Sequence, residues 1–203
     1  GAGVHVATRN GGLGLYADIL SAVALSTNAR TVGAQIGSVA PASGFGKVAR
    51  PGFPYSCFVE RVGPGREEWY GPFEDDITHS LQYGSRHDGA TAALVPLLQY
   101  HKEPRSKTGM RSHYGSKRSV QLQRLFPESA QLTLIRSHSN GRGQPRVFHR
   151  MPPGAIRNPL RVLDPTLFGQ VKTRLGQLAE EYREDDLAAR RAKVLRRAGL
   201  VAD

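Results

Sequence analysis

From Asp164 to Tyr182 the residues define both the start and the buried face of a helix. Asp164 can accept from the orphan N–H groups of a first turn, and Pro165 suits the first helical position, where an N–H has no partner anyway. Leu167, Phe168, Val171, Leu175, Leu178 and Tyr182 then recur at 3.6-residue spacing. Such a stripe needs another layer to cover it, and a sheet is the expected cover. A chain of 203 residues with 39% hydrophobic content can bury one sizeable core and hardly two. One domain with extensions follows.

Changes in Gly and Pro content and in charge divide the chain into four segments. Residues 1–27 open with the turn Thr8-Arg9-Asn10-Gly11-Gly12-Leu13-Gly14 and continue as a helix with Leu15, Ile19, Ala22 and Val23 on one face. Residues 28–92 are rich in Gly and Pro but also carry Phe53, Tyr55, Phe58, Trp69, Tyr70 and Phe73. Aromatics at that density argue for an insertion that docks on neighbours rather than a disordered linker. Residues 93–182 hold the clearest periodicity. Leu94–Tyr100 reads as a strand, with Pro96 near its start or on an edge. Met110–Leu125 reads as a helix stopped by Pro127. Gln131–Arg136, Arg146–Arg150 and Leu160–Leu163 read as strands before the Asp164 helix. The order β-α-β-β-β-α gives an α/β domain. Residues 183–203 extend it as a charged C-terminal helix and tail, acids first and bases after, with Gly199 as a stop.

Net charge is +11, and its placement matters more than its size. Residues 101–161 hold 13 Lys and Arg against Glu103 and Glu128, a balance of +11, while residues 1–100 contribute −1 and residues 162–203 contribute +1. The whole excess sits in the middle third, which points to a polyanionic partner, with structured RNA held by its backbone as the expected one. Arg105, Lys107, Arg111, Lys117 and Arg118 flank the predicted helix start, where the positive end of the dipole adds to the attraction for phosphate. Arg136, His138, Arg142, Arg146 and Arg150 belong to the following loop and strand, and His113 is placed to stack on a base.

The same residues give little sign of chemistry. Cys57 is the only cysteine, so an internal disulfide, a cysteine zinc cluster and a C-x-x-C redox pair are excluded. The histidines His5, His79, His87, His101, His113, His138 and His149 show no i,i+4 metal spacing and no neighbouring carboxylate motif. Gly141-Arg142-Gly143 and Gly63-Pro64-Gly65 lack the lysine and hydroxyl of a phosphate-binding loop. No catalytic residue, metal site, cofactor or small-molecule substrate is expected, and no run is apolar enough to span a membrane.

Particular residues carry a family resemblance. The strand ending at Tyr100, Ser106-Lys107-Thr108-Gly109-Met110-Arg111 before a helix, Phe126-Pro127-Glu128-Ser129 before a strand, Gln144-Pro145-Arg146-Val147, and Asn158-Pro159-Leu160 before the last helix occur in order. The segment from Leu97 to Tyr182 thereby resembles the thioredoxin-like domain shared by mitochondrial ribosomal proteins and an accessory subunit of respiratory complex I. Arg9-Asn10-Gly11-Gly12-Leu13-Gly14-Leu15-Tyr16 is most similar to the opening of the family's large-ribosomal-subunit member. The resemblance implies a thioredoxin-like mixed sheet flanked by helices, with an N-terminal extension and a long insertion. It also implies a non-catalytic constituent of the mitochondrial large ribosomal subunit, in the matrix, contacting mitochondrial rRNA and neighbouring ribosomal proteins. A complex I accessory subunit of the same fold is the alternative.

Overall fold

A computed structural model describes residues 12–36, 47–69, 75–100, 116–136 and 145–197. In chain order the elements are α1 (Gly12–Ser26), β1 (Ala29–Ile36), β2 (Arg50–Pro51), β3 (Phe58–Glu60), α2 (Asp75–Gly84), β4 (Thr91–Tyr100), α3 (Lys117–Leu125), β5 (Gln131–Arg136), β6 (Pro145–Arg150) and α4 (Pro165–Arg197). The class is α/β. A four-stranded mixed sheet has the order β2-β4-β1-β3, with β1 and β4 parallel at its centre and both outer strands antiparallel to them. The strands β5 and β6 form a separate antiparallel hairpin.

The sheet's centre is small-residue β structure. Ala29, Val32 and Ala34 of β1 and Ala92, Ala93, Leu94 and Val95 of β4 are all buried, as expected for a parallel pair covered on both faces. Val32, Ala34, Ala93 and Val95 join one cluster with Tyr16, Ile19, Leu20 and Val23 of α1 and Val171, Leu175 and Leu178 of α4. The pleat turns Ala92 and Leu94 the other way, and α2 packs against β4. Ile77 and Leu81 of α2 meet Leu122 of α3, Ala130 and Ala155 in a second cluster, with Phe53 and Tyr55 packed against it.

Two asparagines tie the loops at one end of the sheet. Asn28, just before β1, donates from Nδ2 to the carbonyls of Gly89 (2.7 Å) and Pro159 (2.9 Å), and its Oδ1 accepts from the Arg161 N–H. Asn158 donates from Nδ2 to the carbonyls of Arg86 (2.8 Å) and Ala90 (2.7 Å) and, at longer range, Tyr83 (3.3 Å). Buried carbonyls that leave α2 and enter β4 are thereby satisfied without a ladder.

Several expectations are met. Asp164 Oδ1 accepts from the Leu167 N–H at 3.0 Å, Pro165 is the first helical residue, and Val171, Leu175 and Leu178 are buried. The helix is one piece of 33 residues, joining what the sequence divides at Tyr182.

Others need correction. Segment 28–92 is not only an insertion, because it supplies β1 at the sheet's centre, β2, β3 and α2. Four of the six aromatics from Phe53 to Phe73 have contacts within the chain, Phe53 and Tyr55 on the second cluster and Trp69 on Phe58 and His79, while Tyr70 and Phe73 lie outside the described residues. Leu160–Leu163 is not a strand of the sheet. Only a bridge joins Val162 to Thr27, and the N–H groups of Leu163 and Asp164 donate to Ser26, terminating α1 instead of extending a ladder. The strands at 131–136 and 145–150 do not enter the sheet of β4. Pro96 is interior to β4, not near its start or on an edge strand; the β1 register slips there, from Ala34 opposite Val95 to Gln35 opposite Gln99, so its missing N–H costs no ladder bond.

Candidate nucleic-acid interface

The basic middle third folds, where described, as α3 packed on the β5–β6 hairpin. α3 begins at Lys117 with no acidic residue in its first turn and no side-chain cap from Ser116. Lys117 and Arg124 are exposed and seven residues apart, a rise of about 10.5 Å along the axis. Together with Ser116, Val120, Gln121 and Leu125 they line an open groove of about 520 Å³ along the helix. Such a trough presents Lys117 beside a helix start with no side-chain cap, where phosphate oxygens are favoured, and Arg124 in the last turn of the same helix. Arg150 is exposed at the end of β6, opposite Gln131.

Arg118 departs from its expected role. It is 9% exposed, and its guanidinium carbon lies 5.6 Å from the centre of the Phe148 ring. Beside it Ser119 Oγ and His149 Nδ1 are 3.1 Å apart, and Phe148 and His149 stack at 4.5 Å. These contacts fasten α3 to β6, so Arg118 builds the module rather than presenting itself to a ligand. Arg136 and Arg146 lie in β5 and β6, where Arg136 pairs with Pro145 and Arg146 with Ile135. Arg105, Lys107, Arg111, His113, His138 and Arg142 fall outside the described residues. Arg124 was missed by sequence reasoning, although its place two turns after Lys117 in a helix is the signal that finds it.

A second polar constellation also escaped the sequence, because its members come from β3, α2 and the turn and irregular run after β3. His79, 1% exposed, has Nε2 2.5 Å from Glu60 Oε1. Tyr83 Oη donates to the same oxygen at 2.9 Å, and Arg66 Nε donates to Glu60 Oε2 at 3.1 Å. Trp69 stacks on the His79 ring at 4.0 Å and Tyr83 meets it edge-on at 4.8 Å. Burial acts to raise the Glu60 pKa, but hydrogen bonds from His79, Tyr83 and Arg66 outweigh it and hold the carboxyl below its ordinary range. Burial, with the Glu60 hydrogen bond, pushes Tyr83 up to about 12. The dyad is closed to solvent by Trp69 and α2, so it serves to lock β3 to α2.

Burial also raises the Cys57 thiol pKa, the reverse of what an activated thiolate needs. Among the described residues no three His, Cys, Asp or Glu side chains are grouped to hold a metal, and no helix is long and apolar enough to cross a membrane.

The fold and this surface define a mixed α/β domain that carries a basic helix–hairpin module. Comparison with known protein families, characterised proteins and solved structures finds no match.

Proposed function

We propose that this chain is a non-catalytic RNA-binding subunit of a ribonucleoprotein, the mitochondrial large ribosomal subunit being the assembly its sequence most resembles. The observation that carries the reading is the confinement of the entire +11 excess to residues 101–161, which include a module presenting Lys117 and Arg124 along one groove. An A-form helix offers a phosphate backbone and a shallow minor groove, and cations on a short exposed helix suit recognition of that shape. The four-stranded mixed sheet with helices on both faces supports the α/β class of the thioredoxin-like family. Membership of that family rests on the short sequence matches, since β5 and β6 lie in a sheet of their own.

Purification of the parent assembly through a tag on the full chain tests this reading. Mitochondrial large-subunit rRNA is expected in stoichiometric amount. An RNA-free assembly containing respiratory complex I subunits would replace this reading with the accessory-subunit one.

A further inference from the structure

α3 has one face turned inward and one left open. Arg118, Ser119 and Leu122 are buried, against Phe148, His149 and the second cluster in turn. The open face is the groove lined by Ser116, Lys117, Val120, Gln121, Arg124 and Leu125. Lys117 and Arg124 are exposed, whereas Val120, Gln121 and Leu125 are half-buried. A plain phosphate contact has no use for that floor, because phosphate oxygens need water or cations as partners and gain nothing from Val and Leu.

Gln121 shares a stripe with both cations. It lies four residues after Lys117 and three before Arg124, about 6 Å and about 4.5 Å along the axis. Among the described residues its amide has no hydrogen-bond partner. An amide presents a donor and an acceptor side by side, and Gln can pair in that way with N6 and N7 of adenine. In an A-form stem those base edges face a deep, narrow groove that side chains cannot read, while an unpaired base can be turned outward. The face of a base so placed covers Val120 and Leu125, which gives the apolar floor its purpose.

We propose that the α3 groove receives one unpaired nucleotide of a structured RNA, with its base on Val120 and Leu125, its edge paired to Gln121 and its flanking phosphates on Lys117 and Arg124. The inference rests on the RNA-binding reading and deepens it: the cations supply affinity, and Gln121 determines which nucleotide is preferred. An acidic segment of a protein would also meet the two cations, but it leaves the neutral amide between them without a role.

Fluorescence anisotropy of the full chain with three labelled RNA hairpins of one stem sequence tests it. The first hairpin is fully paired, the second carries a single bulged adenosine, and the third a bulged purine riboside, which lacks the N6 amine. The wild-type chain is expected to bind the bulged adenosine at least about tenfold more tightly than the paired stem. It is expected to prefer adenosine over purine riboside by about 3–10-fold, the effect of one net hydrogen bond. Gln121→Leu is expected to bind the two bulged hairpins equally while keeping its salt dependence, and Lys117→Gln with Arg124→Gln to weaken binding of all three. Unchanged thermal midpoints show that these variants remain folded. Equal, salt-dependent affinity of the wild type for paired and bulged hairpins would overturn the inference and leave the RNA-binding reading standing, whereas no affinity for any hairpin would remove both. A Gln121→Leu chain that still prefers adenosine would also overturn it. So would a glutamate- and leucine-rich peptide that binds more tightly than the bulged hairpin and loses that binding in the Lys117 and Arg124 variant.

Discussion

His79 Nε2 lies 2.5 Å from Oε1 of Glu60, joining an α2 side chain 1% exposed to the carboxylate at the end of edge strand β3. Glu60 receives two further donors, from Tyr83 and Arg66. Removing the carboxylate strands a buried imidazole and a buried phenol at the same time.

Glu60→Ala is therefore expected to destabilise the fold by about 2–4 kcal/mol in denaturant unfolding, the range for breaking a buried charged hydrogen-bond set. Trp69 is the single tryptophan and stacks on His79, so its fluorescence should report the change directly. A variant as stable as wild type with unchanged emission would show the lock to be idle.

The pH dependence has two arms with opposite signs. Glu60 has a folded pKa depressed from its ordinary 4.5, so its stabilisation is complete above that value and is lost as pH falls through the folded one. Tyr83 has a folded pKa raised from 10.0 to about 12, so its contribution is intact below 10 and is lost as pH rises from 10 to about 12. Tyr83→Phe should flatten the alkaline arm and leave the loss on acidification in place. An unchanged alkaline arm in that variant would assign the loss to other groups.

Gly33 of β1 lies where a Cβ would sit 2.6 Å from Pro54 Cβ and 3.0 Å from the Cys57 carbonyl. The carbonyl is held in place, since Cys57 O accepts from the Ala34 N–H at 2.9 Å. Gly33→Ala is expected to cost about 1–3 kcal/mol through overpacking, with a lower thermal midpoint as the readout. Gly14, whose Cβ would meet nothing within 4 Å, is the matched control in α1, where Ala should stabilise slightly.

The Asp164 helix was legible because its cap, proline and apolar stripe are local signals, and Asp164 Oδ1 does bond the Leu167 N–H. β1 was not legible. Ala29-Arg30-Thr31-Val32-Gly33-Ala34-Gln35-Ile36 is buried on both faces, so it shows neither alternation nor the bulky β-branched run that marks a strand. The Glu60–His79 pair is nineteen residues apart in sequence and meets only through tertiary folding, so no spacing rule finds it. The sequence sets Arg118 beside Lys117 as a phosphate ligand at the helix start, and the Phe148 ring against its guanidinium, thirty residues on, is a tertiary contact that no local signal marks.

That correction has its own test. Arg118→Gln is expected to lower the stability of the α3–hairpin module, by about 1–2 kcal/mol from lost packing and cation–π contact. Lys117→Gln and Arg124→Gln, on exposed positions, should leave unfolding within about 0.5 kcal/mol of wild type. Equal thermal midpoints for all three would return Arg118 to the surface set.

RNA binding by the full chain as a function of salt is the direct test of the central claim. Log affinity for a structured mitochondrial large-subunit rRNA fragment is measured against log salt for wild type and for a variant with Arg105, Lys107, Arg111, Lys117 and Arg124 changed to Gln. If these residues neutralise phosphates, wild-type affinity falls steeply with salt, and each lost contact reduces the slope by about 0.7–0.9. The variant should bind more weakly and with a flatter slope than one carrying five Gln changes at Arg183, Arg190, Arg191, Arg196 and Arg197. Equal losses in the two variants, or no affinity for RNA in the wild-type chain, would contradict a phosphate-binding site in the middle third.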